Sequence, residues 1–477
     1  MRELFLLEDE ELQRIHHTSL RILGETGIAI CHPQAVRIMQ QHGARVDSEQ
    51  QRVWLSEELI GRALPTVARE FTLTGSEPVH DVPLGAGHPL RGRPVVGADF
   101  FLEPGATSHR PTTLRNAEDW IRLVEQLPNI HLNGSPYPSD VPAAIRDLLV
   151  VERVFELSHK PMLLSHYSAD ALRWSLELVS ALPRRADGQA QSRLLLFVSC
   201  NSPLTYTRSQ VDILIMAGQQ GVPVAINTAP LAGATAPYTV AGMAAQMNAE
   251  LLAGVVVSQL STPGAPVIWS PLPLVFDMRA GVAASGYAEI GLLLAILMQL
   301  GKLHGLPVHC LGLLTDAVIP DAQAGCEKLQ AAYPALLARP HLMGGAGGLA
   351  SYNVGSLEQL ILDDEILGSL FHILEGMELD DDALGWDVIN RVGPGGHFLE
   401  DVHTLRYLRR QYYSRQTANR LAPETWASAG ALDTRSRATE QVQMLLAKPE
   451  NPVVSESVLR HMRGLVQRAQ KDLASSE

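Results

Sequence analysis

The chain has 477 residues, 46% of them hydrophobic and 19% charged, with a formal net charge of −13. That length exceeds one ordinary domain but suits a large barrel with extensions, and the acidic balance disfavours a nucleic-acid surface while favouring a cationic small molecule over an anionic one. The longest apolar runs are broken by Gly, Pro, Ser or His before they reach the length of a membrane span.

The start, MRELFLLEDEELQRIHH, is acidic where an export signal needs basic and then apolar residues, so a cytoplasmic location is expected. Residues 1 to about 75 predict helices, because EDEELQRIHHTSLRILGETG places apolar residues at helical spacing and ends in glycine. The Gly/Pro-rich stretch HDVPLGAGHPLRGRPVVGADFFLEPG then predicts hairpins, giving a helical and hairpin extension over 1–94. Across 95–375, short apolar runs alternate with longer helical patterns, as in repeated βα units. The runs are VVGADFF (95–101), IHLNGS (130–135), PMLLSHY (161–167), LLLFVSCNS (194–202), PVAINT (223–228), PVIWSP (266–271), PVHCLG (307–312) and HLMGGAG (341–347). Eight such units predict an α/β protein built on a TIM (β/α)8 barrel. A doubly wound sheet is disfavoured because no GxGxxG follows the first run. The segments HTLRYLRRQYYSRQ and ESVLRHMRGLVQRAQKDL predict a C-terminal helical cap or oligomerisation segment over 376–477, and a homo-oligomer is expected.

In a TIM barrel the chemistry sits at the C-terminal ends of the strands, which makes polar residues there candidates. TDAVIPDAQAG (315–325) leaves the seventh run; Asp321, before Ala-Gln-Ala, suits a helix N-cap, whereas Asp316 lies nearer the strand and is a candidate catalytic group. The other run ends offer Phe100, Tyr137, His166, Tyr167, Trp269, Phe276, Asp277, Arg279 and Tyr352. Aromatic faces with a few carboxylates hold quaternary ammonium ions through cation–π attraction worth ~0.5 to 2 kcal/mol per ring. GGAGGLAS (344–351) makes Gly344, Gly345 and Gly347 candidate backbone contacts to a cofactor or an anionic group, without the Gly-Lys-Ser/Thr of a P-loop. Cys31, Cys200, Cys310 and Cys326 lack CxxC spacing and read as small buried hydrophobes. Neither His16-His17 nor Asp401-x-His403-x-x-Arg406 has the spacing of a metal site, and no metal is expected.

The segments PLAGATAPYTVAGMAAQMNAELLAG (230–254), FDMRAGVAASGYAEIGLL (276–293), LTDAVIPDAQAGCEK (314–328), SLEQLILDDEIL (356–367) and GGHFLEDVHTLR (395–406) together resemble the trimethylamine methyltransferase family, and HRPTTLRNAEDWIRLVEQLPNI (109–130) extends the match upstream. The resemblance implies a TIM barrel that passes a methyl group from an amine to the cobalt of a separate corrinoid protein, with no corrinoid held by the chain itself. Residues 309–318 are ordinary amino acids, so the chain looks like the branch without pyrrolysine, whose members act on glycine betaine and related quaternary amines. Val318 departs from the lysine common at that place in the family. A quaternary amine leaves as a neutral amine, so such an enzyme mainly orients the methyl group and excludes water. In that setting Trp269, Phe276, Tyr167 and Tyr352 are expected to cage the ammonium, Asp277 or Asp316 to balance it, and Arg279, His166 or the glycines to bind a carboxylate. Two other readings compete: a metal-dependent barrel lyase or hydrolase, for which His166, Asp99 and His309 are too scattered, and a catalytically silent betaine-binding protein.

Overall fold

The structure, a computed structural model, describes residues 6–165, 168–185, 187–188, 192–450 and 452–474, and is an α/β fold. Strands Met162–Ser165, Leu194–Cys200, Val224–Thr228 and Val267–Pro271 form one parallel sheet, pairing in that order. His309–Cys310, Leu342–Ala346 and Arg91–Pro94 form a second parallel set. A parallel bridge between Trp269 and Val308 links the two. The 130–135 run is held between them by a bridge from Asn133 to Met162 and by the His131 N–H donating to Gly92 O at 2.7 Å.

The strand beside Leu342–Ala346 is Arg91–Pro94, four residues before the apolar run VVGADFF begins. Phe100–Leu102, within and just beyond that run, instead pairs with Val354–Ser356 and Arg110–Pro111 in a separate small sheet. RGRP is not an apolar run, yet it forms this strand, with Arg93 buried inside the fold. The N-terminal region is not purely helical either. Between helices Asp9–Arg21, Pro33–Gln41 and Glu57–Ala63 it forms Ile28–Ile30, Arg45–Asp47 and Arg52–Trp54, joined in one sheet by Thr205–Tyr206.

The helices Val240–Ser261, Ala288–Leu303, Ala322–Leu337 and Leu357–Glu375 follow the parallel strands in chain order. Val240–Ser261 is long and apolar enough to cross a membrane, yet 83% of its apolar window is buried inside the protein. Its apolar character all round reflects burial on every side. Asp9–Arg21 packs on it, with the Ser19 hydroxyl donating to Ala245 O at 2.8 Å. The polar residues on Val240–Ser261 are matched: the buried Glu250 carboxylate accepts from Leu204 N–H at 2.9 Å, from Ser202 at 2.8 Å, and from Thr228 and Gln246. This ties together the ends of two strands from the helix side.

Candidate active site

Side chains alternate along a strand, so position two apart share a face. Leu132, Leu163, Leu195, Ala225, Ile268 and Leu342 converge on one face with Leu73, Val82 and Leu84. The last three belong to the hairpin Glu70–Leu73/Val82–Gly85, which plugs the N-terminal end of the strands. Two residues further along each strand, the same inner face carries Phe197, Asn227, Ser270 and Gly344, and the side chains of Arg93 and His309 meet them there. Beyond this polar layer, Leu272, Leu274, Leu311 and Leu314 gather with Phe197 and the half-buried Tyr352 toward the C-terminal end.

The polar layer is connected. Arg93 Nε donates to His309 Nε2 at 2.9 Å, and His309 Nδ1 lies 2.6 Å from Ser270 Oγ. Because Nε2 accepts, the proton of this ring belongs on Nδ1, which donates to Ser270 and leaves the imidazole neutral. Burial, reinforced by the Arg93 charge, holds the His309 pKa well below the ordinary value. Ser199 Oγ donates to Asn227 Oδ1 at 2.7 Å, and Asn227 Nδ2 donates to Ser270 O. The Phe197 ring stands edge-on to His309 at 5.9 Å and 5.6 Å from Arg93 Cζ.

Asp316 and Asp277, the two candidate catalytic carboxylates, come together at a cavity of about 610 Å³ lined also by Ala283, Tyr287, Ser351 and Asn353. Both are heavily engaged. Asp316 Oδ1 accepts from Ser285 N–H at 2.7 Å, Ser285 Oγ at 3.1 Å and Ser351 Oγ, while Oδ2 accepts from Gly286 N–H at 2.9 Å. The geometry is that of a clamp joining the turn before Ala288–Leu303 to the loop at 351. Asp277 accepts from Tyr287 OH at 2.6 Å and from Arg279 and Ala280 N–H at 2.8 Å each, and these donors lower its pKa, the tyrosine foremost. The expected helix cap is present: Asp321 Oδ1 accepts from Ala324 N–H at 3.1 Å.

Several expected pocket residues lie elsewhere. Trp269 alternates with Ile268 and Ser270, so it faces the helices; it is fully buried, donates to Leu297 O at 3.1 Å and packs on His304. That removes it from the cage. Phe100 is exposed in the separate sheet beside His109. Tyr137 is buried with its hydroxyl on Ser165 O, and its ring already carries the Arg146 guanidinium at 4.5 Å. Arg279 is exposed at the turn of the hairpin Leu274–Asp277/Val282–Ala284, where Phe276 is half-buried opposite Ala283. His166 and Tyr167 lie outside the described residues.

Gly344, Gly345 and Gly347 form no open cradle. A Cβ on Gly344 would stand 2.4 Å from Arg93 Cζ, one on Gly345 2.8 Å from Leu313 O, and one on Gly347 2.4 Å from the Trp120 ring. They are glycines because neighbours occupy the space. Of the cysteines, Cys200 and Cys310 are buried as expected, but Cys31 is half-buried and Cys326 exposed. Asp401 pairs with Arg391 at 2.6 Å and caps the helix Val402–Tyr407, while His403 meets Asp382 O. Among the described residues, one group of metal-ligating types converges, Glu77, His80 and His159, with the two imidazoles stacked at 5.1 Å. It adjoins the N-terminal ends of the strands.

The site residue that sequence reading misses is Arg93; His309 is read near a strand end, but without this partner. The available signal was period two: His309 is two residues before Leu311, which gathers with Leu272, Leu274 and Leu314, and Arg93 sits in register between Gly92↔Met343 and Pro94↔Ala346.

The model of one protein family, trimethylamine methyltransferase (MTTB), matches residues 1–474. A glycine betaine methyltransferase of Desulfitobacterium hafniense (strain Y51) is 31% identical over 98% of this chain and 98% of that protein. The trimethylamine methyltransferase MttB of D. hafniense (strain DSM 10664 / DCB-2) is 28% identical over 97% of this chain and 94% of that protein. Methanosarcina mazei MttB2, also a trimethylamine methyltransferase, is 27% identical over 98% and 96%. Among solved structures, the Methanosarcina barkeri monomethylamine methyltransferase MtmB matches 93% of this chain and 94% of its own at 10% identity, with a TM-score of 0.48.

Proposed function

Since the chain belongs to the trimethylamine methyltransferase family, we propose that it moves a methyl group from a quaternary amine of the glycine betaine type to the Co(I) of a separate corrinoid protein. The observation that carries this reading is the end-to-end likeness to a glycine betaine methyltransferase, 31% identical over 98% of both chains. The ordinary residues across 309–318 agree with it, since a quaternary amine needs no prior activation to leave.

The reading takes the eight strand positions as one closed (β/α)8 barrel. The bridges Trp269↔Val308 and Asn133↔Met162, together with the His131 to Gly92 hydrogen bond, support that closure. The inner face then becomes a lumen plugged at one end by the hairpin and open at the other. When docked, the partner's corrinoid supplies the nucleophile for the methyl group. This chain's part is to bind the amine, fix the direction of one N–CH3 bond and keep water away. Tyr352 and the leucines at 272, 274, 311 and 314 provide the apolar surround for the methyl groups. Asp316 keeps the mouth in shape by holding Ser285, Gly286 and Ser351. The glycines at 344, 345 and 347 are enclosed by Arg93, Leu313 and Trp120, which supports leaving the corrinoid on the partner. Exposed apolar residues beside this end, Tyr238, Met278, Val282 and Val318, suit docking of that partner. An N-terminal extension, a barrel that begins with the strand Arg91–Pro94 rather than at residue 95 and runs to 375, a C-terminal segment over 376–477, a homo-oligomer and a cytoplasmic location belong to the same reading.

The test is to incubate the full chain with glycine betaine and cob(I)alamin and to quantify dimethylglycine. Stoichiometric dimethylglycine is expected; its absence, with candidate corrinoid proteins also supplied, would refute the reading.

A further inference from the structure

We propose that Arg93 is the anion anchor of the inner face and that the chain therefore selects quaternary amines bearing a carboxylate. This deepens the methyltransferase reading and rests on it.

Arg93 is 1% exposed, and among the described residues no carboxylate lies within ion-pair distance of it. Nε donates to His309 Nε2 and Nη1 to Pro94 O at 2.7 Å, while Nη2 meets no acceptor among the described residues. Nor do the neighbours supply negative charge. His309 is neutral by its hydrogen bonds, and burial pushes the Cys310 thiol up to about 12, so it stays protonated. Burial also lowers the Arg93 pKa to about 9, which still leaves a full cation at neutral pH. A buried cation with neutral surroundings is costly unless something compensates it. The fold nevertheless reserves space for it: Gly344 has no Cβ where one would strike the guanidinium.

A carboxylate is the complement of Nη2, whose N–H donors meet no acceptor among the described residues, beside the Nη1 that Pro94 O already engages. Placing it there also sets direction. The anchor lies on the polar layer, with the apolar Leu272, Leu311 and Tyr352 beyond it toward the strands' C-terminal ends. A short zwitterion bound by its carboxylate would put its ammonium, repelled by Arg93, among these residues, with a methyl group facing the opening. Choline and other cations without an anionic group would meet only the repulsion.

The experiment is calorimetric binding to the full wild-type chain of glycine betaine, its methyl ester and choline, followed by glycine betaine with Arg93→Met and Arg93→Lys. The wild type should prefer glycine betaine over its ester and choline by about 10- to 100-fold, and Arg93→Met should lose a comparable factor, with partial recovery in Arg93→Lys. Equal wild-type affinity for betaine, ester and choline would overturn the anchor without any variant, so a misfolded Arg93→Met does not leave the matter open. Undiminished betaine binding by folded Arg93→Met would overturn it too. Dimethylglycine formation measured alongside separates the two levels: turnover without carboxylate preference sinks the anchor alone, whereas neither binding nor turnover of any of the three sinks both.

Discussion

Replacing Asp316 by asparagine distinguishes a clamp from a catalyst. The carboxylate accepts four hydrogen bonds, three at Oδ1 from Ser285 and Ser351 and one at Oδ2 from Gly286 N–H at 2.9 Å. Asparagine keeps one acceptor oxygen. Oriented to preserve the three bonds at Oδ1, it turns an NH2 toward the Gly286 N–H, so one charge-assisted bond is lost and a donor faces a donor. A hydrogen bond to a charged group is worth about 1.5 to 3 kcal/mol, and because Asp316 is only half-buried, water relieves part of the loss; we expect a destabilisation of about 2 kcal/mol. Asp316→Ala gives up all four bonds and should cost about 3 to 5 kcal/mol. Urea unfolding followed by tryptophan fluorescence measures both, with dimethylglycine formation measured under conditions where each variant is folded. The clamp predicts a stability loss with KM raised more than kcat is lowered. Unchanged stability with abolished kcat would show instead that Asp316 acts on the substrate.

Trp269→Phe should destabilise by about 1 to 3 kcal/mol, through the lost indole hydrogen bond to Leu297 O and the lost ring volume, while the preference among amines is unchanged; a shift in that preference would place the indole in the pocket after all. Gly347→Ala forces a Cβ to within 2.4 Å of the Trp120 ring at φ +79, and urea unfolding should show a loss of about 2 to 4 kcal/mol. His131, His304 and His341 are held neutral in the folded chain, burial first lowering their pKa values to about 3, 3 and 4. Unfolded histidines take up protons near pH 6.5, so stability is fully present above that pH and falls as the pH drops below it, by up to about 4 kcal/mol per unit for the three together. Below about pH 6 Asp364, raised to about 6 chiefly by burial, opposes this with one group. Unfolding midpoints at pH 7.5 and 5.5 should therefore differ clearly, and a flat profile would contradict the burial of these rings.

What the sequence made legible was the repeat of apolar runs and the family segments, because parallel strands buried on both faces are written as short, nearly continuous apolar stretches. PVAINT and PVIWSP lie on strands Val224–Thr228 and Val267–Pro271 for that reason. RGRP did not look like a strand, since its Arg93 is carried inside the fold, held at Nε by His309 and at Nη1 by Pro94 O, rather than in water. Face assignment was the harder problem. Trp269 and Ser270 are adjacent in sequence, but a single residue of register sends one to the helices and the other to the inner face. Asp316 was legible as a residue at a strand end, whereas its partners Ser285, Gly286 and Ser351 come from loops about 30 or more positions away that no local pattern connects.

The most direct test of the central claim is to supply glycine betaine carrying deuterated methyl groups with cob(I)alamin and to determine the mass of the alkylated cobalt product. The account predicts that one CD3 group arrives on cobalt only when this chain is present. Loss of the amine without CD3 on cobalt, or no reaction even with candidate corrinoid proteins, would contradict it.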